Sequence, residues 1–342
     1  MFRVLEKIIA AAAIIGAFAT PMLHASIIPS NEIPFQQQIA RELERNSDLG
    51  LYGLKGIIRE IIPATPITDC VFMTSQAGRY VYEAIDSTET VCGIYVFTEP
   101  DEIVEVSFPR IDVPCGGKDL VVIVNGWELN GQYFPSGTDH PLPLDQRFSE
   151  FCGSQNHKIY SSSQNVALVQ YRVPTIGKGF TVSIRFRKNL HPCNVVASSD
   201  TEPFTLRNYG RRVNCTFMAI YPAVVRTIAL DVGSKRVRGG AFPETETGTI
   251  HQCDKRGSED EVQIGGTDGL DTSQLETLDT ICGVNSKRTS DSKIIGCEMT
   301  TVRLVSSGKY DNSVTITARP ADTAEILDAN LTCGLNAIKT SE

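Results

Sequence analysis

Apolar and polar residues alternate with a period of two along several stretches of this chain. Val104, Val106 and Phe108 alternate with Glu105 and Ser107; Val182, Ile184 and Phe186 with Ser183, Arg185 and Arg187; Val314 and Ile316 with Thr315 and Thr317. A strand sends successive side chains to opposite faces, so each stretch predicts a β-strand with one face in a core and one in water. Asn125-Gly126 and Asn130-Gly131 predict tight turns, and Pro and Gly punctuate the rest at short intervals. The pattern is that of an antiparallel β-sandwich, with no alternation of strand and helix. A helical period shows only where Phe35, Ile39 and Leu43 recur every fourth residue, before Gly50, Gly53 and Gly56 interrupt it. Residues 26–66 carry no cysteine and are expected to form a partly helical N-terminal arm.

The longest apolar run, Ile8 to Ala19, follows Arg3 and Lys7. It is shorter than the roughly 20 residues a membrane helix needs, and it predicts a secretory signal peptide over residues 1–25, cleaved after Ala19 or Ala25. A soluble, secreted, extracellular protein is expected. All ten cysteines lie beyond this segment, and an even set in an exported chain reads as a disulfide framework. None has the close Cys-x-x-Cys spacing of a zinc site, so neither a metal nor a cofactor is expected. The 342 residues predict two domains. The net charge of −8 becomes −9 when Arg3, Lys7 and Glu6 leave, which disfavours nucleic acid as a partner. In a eukaryotic secretory route, Asn214-Cys215-Thr216 and Asn330-Leu331-Thr332 are acceptor tripeptides for N-linked glycan.

Two copies of one plan are visible. Cys70 and Cys92 are 22 residues apart, as are Cys193 and Cys215. Cys115 leads through Asp119 into an apolar run at 120–124 and then Cys152-Gly153; Cys253 leads through Asp260 into Val262, Ile264 and Gly265-Gly266 and then Cys282-Gly283. An ordered series of this kind predicts a duplicated domain, one copy over 67–190 and the other over 191–342 with a C-terminal tail.

The first copy resembles a CUB domain in its Asp-Leu-Val-Val-Ile-Val-Asn-Gly string at 119–126, its Phe151-Cys152-Gly153 and its Gly177-Lys178-Gly179-Phe180-Thr181-Val182. A narrower resemblance rests on Asn125-Gly126-Trp127-Glu128-Leu129, Asp139-His140-Pro141-Leu142-Pro143, Ser163-Gln164-Asn165-Val166-Ala167, His191-Pro192-Cys193-Asn194-Val195, Ile220-Tyr221-Pro222 and Val302-Arg303-Leu304-Val305-Ser306-Ser307-Gly308-Lys309. These strings are similar to those of the corticotropin-releasing factor-binding protein family, from about Cys70 to Cys333. The resemblance implies two tandem CUB-like, jelly-roll-like sandwiches and a secreted glycoprotein. Its implied partner is a corticotropin-releasing-factor-like peptide hormone, of the diuretic-hormone type in an invertebrate, which it sequesters to limit receptor signalling. It also implies consecutive pairing: Cys70 with Cys92, Cys115 with Cys152, Cys193 with Cys215, Cys253 with Cys282, and Cys297 with Cys333. The duplication supports this separately, because the first and third pairs, and the second and fourth, are then equivalent.

An enzyme is not expected: the chain lacks a Gly-x-Ser-x-Gly elbow, a His-Glu-x-x-His pair and a phosphate-cradling loop. Some CUB domains bind calcium through loop carboxylates, and Asp119 and Asp260 stand where such ligands would start. The loop at 173–177 has no aspartate to complete the cage, so a solvated carboxylate before a strand is the stronger reading. Trp127, with Tyr133 and Phe134 behind it, is the candidate peptide-binding group; packing at a sandwich edge is the competing reading for Trp127. Arg185, Arg187 and Lys188 could meet an acidic peptide or simply form the wet face of a sheet. An alternative function is a CUB-type adhesion or protease-accessory module with a protein partner.

Overall fold

The computed structural model describes residues 64–154, 158–199, 202–234, 247–287 and 291–334. The expected signal peptide with its two cleavage positions, the helical stretch from Phe35 to Leu43 and the tail after Gly334 lie outside the described residues.

In chain order the first half contributes β1 (Thr65–Pro66), β2 (Val71–Thr74), β3 (Gly78–Glu83), β4 (Cys92–Phe97), β5 (Glu102–Asp112), β6 (Leu120–Val124), β7 (Trp127–Leu129), β8 (Gln132–Phe134), β9 (Phe148–Phe151), β10 (Tyr160–Ser161), β11 (Val166–Arg172) and β12 (Gly179–Lys188). One sheet runs β1-β3-β12-β5-β10 and the other β2-β4-β11-β6-β9, with β7 and β8 forming a separate hairpin. Pairing is antiparallel except for β1 on β3 and β2 on β4. The last residues of the expected arm therefore already belong to the first sandwich. Pro66 is tolerated there because β1 is an edge strand, where a missing N–H costs no ladder bond. Val104, Val106, Phe108, Val121, Ile123, Val169, Phe180, Val182 and Ile184 fill the space between the sheets. The alternation in β5 and β12 is seen as expected, with Phe186 only half-buried near the open end.

The second half contributes β13 (Val195–Ala197), β14 (Phe204–Arg207), β15 (Cys215–Ala219), β16 (Ala223–Val232), β17 (Gly248–His251), β18 (Glu261–Thr267), β19 (Glu276–Asn285), β20 (Ser292–Ile295), β21 (Met299–Val305), β22 (Ser313–Pro320) and a short helix, α1 (Thr323–Leu327). The order β13-β15-β21-β18-β19 repeats β2-β4-β11-β6-β9, including the parallel first pair. The order β14-β22-β16-β20 repeats β3-β12-β5-β10. Here the two layers are joined, because β19 pairs with β18 through its first half and with β16 through its last residues. Phe217, Val225, Val262, Ile264, Val302, Leu304, Val314 and Ile316 make the second core.

The ten cysteines form five disulfides: Cys70–Cys92, Cys115–Cys152, Cys193–Cys215, Cys253–Cys282 and Cys297–Cys333. The first and third have the same Cα separation, 4.5 Å, at the same place in each copy.

A third apolar cluster joins the copies. Tyr95, Val122, Val124, Val166 and Leu168 on the outer face of the β4-β11-β6 layer pack with Val196, Met218, Ile220, Leu270 and Met299 of the second copy. The three strands of that layer are buried on both faces, which is why residues 120–124 read as an unbroken apolar run rather than an alternation.

Candidate functional site

The β7-β8 hairpin lies at this seam. Trp127 is 3% exposed, packs edge-on against Tyr95 and Phe97 at 5.8 and 6.3 Å between ring centroids, and donates Nε1–H to the Val96 carbonyl at 3.1 Å. Phe134 is fully buried in the same cluster. Both rings cover the apolar outer face of a sheet that water would otherwise wet, so they are committed to packing. For Trp127 this is the packing reading weighed from the sequence, and Phe134 is buried beside it, so neither ring stands exposed. Tyr133 is half-exposed, edge-on to Phe148 and within 5.9 Å of the Arg147 guanidinium.

Beyond the hairpin the chain passes through a cis Phe134–Pro135 bond into the loop that carries Asp139. Arg147 fastens this loop from beneath by donating to the carbonyls of Asn125, Phe134 and Pro135 at 3.1, 3.2 and 2.7 Å. Burial lowers the Arg147 pKa to about 10, still far above neutrality. Gly126 has φ +122°, and a Cβ there would stand 2.2 Å from the Phe134 carbonyl oxygen. Only glycine fits this turn without moving the loop.

The Asp139 carboxylate reaches into the second copy. Arg303 grips it in bidentate fashion, Nη2 at 2.6 Å from Oδ1 and Nε at 2.9 Å from Oδ2. Thr216 and Thr272 donate hydroxyls to Oδ2 at 2.8 and 3.1 Å, and Asn214 donates an amide N–H to Oδ1 at 3.2 Å. The Asp139 side chain has no exposed surface. Burial alone would raise its pKa, but the Arg303 hydrogen bond and charge, with the Thr216 and Asn214 bonds, outweigh it and hold the carboxyl below its ordinary value. Two asparagines seal the rim by acting as pieces of backbone. Asn165 donates to Val196 O and accepts from Val196 N at 2.7 and 2.9 Å; Asn194 donates to Asp139 O and accepts from Thr216 N at 2.9 and 3.1 Å.

His140 follows Asp139. Its Nδ1 accepts from the Leu142 N–H at 2.9 Å, while its Nε2 is buried without a hydrogen-bond partner. Burial, then the nearby Arg147 charge, lowers its pKa to about 4, so it is neutral in the fold.

The two candidate calcium carboxylates are engaged in equivalent ways. Asp119 accepts from the Thr175 hydroxyl at 2.9 Å and the Thr175 N–H at 3.3 Å; Asp260 accepts from the Ser307 hydroxyl at 2.5 Å and the Ser307 N–H at 3.0 Å. In each copy the carboxylate braces the loop that follows the layer's third strand, and no cluster of three metal-ligating side chains occurs among the described residues. Of the basic row, Arg187 pairs with Glu105 at 3.1 Å and Lys188 with Asp101, while Arg185 is exposed. The sequence expectations about binding residues named none of Asp139, Asn165, Asn194 and Arg303, although all four lie in the strings that carried the family resemblance.

Comparison with known proteins bears on both copies. Residues 65–190 match the model described as "Corticotropin-releasing factor binding protein N-terminal domain", and residues 195–327 match its C-terminal counterpart. The chain is 35% identical over 266 residues to the corticotropin-releasing factor-binding protein of Homo sapiens, covering 76% of this chain and 78% of that one. The Rattus norvegicus protein of the same name is 34% identical over 279 residues, 80% and 82% of the two chains. Among solved structures, the CUB1-EGF-CUB2 domains of rat MASP-1 cover 73% of this chain and 99% of that one at 9% identity and a TM-score of 0.24. The extracellular region of zebrafish Gpr126/Adgrg6 covers 78% and 39% at 14% identity and a TM-score of 0.27. Scores this low carry no argument; the all-β, two-sandwich fold rests on the strand order itself. No helix among the described residues is long and apolar enough to cross a membrane.

Proposed function

We propose, from the premise that this chain belongs to the corticotropin-releasing factor-binding protein family, that it is a secreted protein which sequesters a corticotropin-releasing-factor-like peptide hormone and so limits the hormone's access to its receptor. The observation that carries this reading is that the family match spans both sandwiches, which the seam welds into one platform. Secretion is supported by the five disulfides, which persist in oxidising compartments. The relatives are named as binding proteins, and sequestration needs no catalytic group. A peptide of this class presents an amphipathic helix or an extended segment, and either can be held by an apolar groove or a sheet edge. Of the three aromatic candidates, Tyr133 is the one whose ring remains available at the surface.

Calorimetric titration of the oxidised protein with a corticotropin-releasing-factor-like diuretic peptide, against a scrambled control, tests the reading. Saturable binding near 1:1 at submicromolar affinity, unaltered by calcium, is expected. No binding to any such peptide by folded protein refutes it.

A further inference from the structure

A polar cavity of about 570 Å³ opens beside the Asp139 socket. Its wall takes Thr138 from the first sandwich and Arg212, Asn214, Glu259 and Lys309 from the second, with Val213 and Val305 as apolar patches. The volume is within the roughly 300–1,000 Å³ of small-molecule sites. The wall is balanced rather than charged: Lys309 and Glu259 form an ion pair, and Arg212 adds donors beside the hydroxyl of Thr138. An anion would meet the Glu259 carboxylate, whereas a neutral ligand rich in hydroxyls, each both donor and acceptor, finds partners of both kinds. Asn214 faces this space at the head of an acceptor tripeptide, half-buried, with Oδ1 accepting from the Ser306 N–H at 3.2 Å and Nδ2 donating to Asp139.

We infer that the cavity is the seat of the first sugar of an N-linked glycan on Asn214, and that the seated sugar ties the two sandwiches together. The inference rests on the secretory route proposed above. In the transfer, Asn214 Nδ2 forms a bond to C1 of N-acetylglucosamine as the C1–O bond to a lipid-linked oligosaccharide diphosphate breaks. The diphosphate leaves with the bonding pair, and one amide proton is lost to a base. An amide nitrogen carries two hydrogens, so one remains to donate to Asp139. Val213 and Val305 offer apolar contact to the sugar's C–H face or acetyl methyl, and Thr138, Arg212 and Glu259 offer hydrogen bonds to its hydroxyls. The tripeptide's Thr216 hydroxyl is fully buried on Asp139 in the finished fold. The transfer therefore precedes docking of the loop that carries Asp139, and the sugar is seated as the seam closes, its O4 left at the mouth of the cavity where the rest of the glycan continues. Asn330, the second acceptor, is exposed and lies away from this wall.

The test uses the full chain secreted from eukaryotic cells with mannose trimming blocked, then cut by endoglycosidase H to leave one N-acetylglucosamine on each occupied asparagine. Galactosyltransferase with labelled UDP-galactose, read by glycopeptide mass spectrometry, reports how accessible each stub is. The Asn214 stub of the native protein should label at least about tenfold more slowly than the same stub after reduction and unfolding, a factor that needs only about 1.4 kcal/mol in favour of the seated state. Arg212→Ala, at an exposed position, should restore part of the labelling in folded protein. Equal rates in native and unfolded protein would overturn the inference, as would an Asn214 that leaves the cell unmodified. Peptide titration of the same preparations keeps the outcomes apart: intact hormone binding with a freely labelled stub removes the seated sugar and leaves the proposed function standing.

Discussion

Asp139 belongs to one sandwich by chain and to the other by contact, and its chemistry gives the sharpest single-residue predictions. Asp139→Asn leaves the Arg303 guanidinium without its counter-charge in a closed site, and breaking a buried pair from one side costs about 3–5 kcal/mol. Denaturant unfolding should show that loss. The carboxyl pKa is lower in the fold than in the unfolded chain, so the stability it contributes is full above its ordinary value of about 3.9 and is lost as pH falls from there through the folded value. His140 acts in a higher window. Its folded pKa of about 4 lies below the ordinary 6.5, so the unfolded chain takes up the proton first and stability declines between pH 6.5 and 4. His140→Asn keeps an acceptor for the Leu142 N–H and should flatten the unfolding midpoint across that window. The sequence offered this pair only inside a string that carried the family resemblance, because nothing near it in the chain shows that Arg303, 164 residues away, closes on Asp139.

The strands divide into those whose sequence announces them and those whose sequence misleads about their surroundings. β5, β12 and β22 alternate because one face meets solvent, and all three were legible. β4, β6 and β11 are apolar on both faces, so they give no direction to a period-two reading. Their continuous runs are the mark of the second sandwich lying against them. The β7-β8 hairpin was legible as turns at Asn125-Gly126 and Asn130-Gly131, and of the two readings of Trp127 the packed one holds, with Phe134 beside it roofing the seam and Tyr133 left half-exposed. Two variants should show what the hairpin does. Gly126→Ala forces φ +122° on an alanine and a Cβ into the Phe134 carbonyl, and thermal unfolding should fall by several degrees, consistent with about 1–3 kcal/mol of backbone strain plus the clash. Trp127→Ala should cost about 3–5 kcal/mol by denaturant unfolding, since it removes a buried ring.

At the scale of the molecule, the duplication was visible in the cysteine spacing, and the strand orders repeat it layer by layer. The seam was not visible, because a domain boundary inferred from repeats says where copies begin and nothing about which faces meet. Residues 67–190 produced alone should expose Val122, Val124, Leu168 and the roofing aromatics. Dye binding to exposed apolar surface and size-exclusion chromatography should show a sticky, associating fragment, whereas the whole chain elutes cleanly.

Synthesis runs from the N-terminus, so the first sandwich completes β11 and β12 while its covering partner is still in the ribosome. The partner's last contributing strand at the seam, β21, ends at Val305, and at about 5–20 residues per second the apolar layer waits on the order of ten seconds for its cover. During that interval the nascent protein is a client for whatever holds apolar surfaces where it is made.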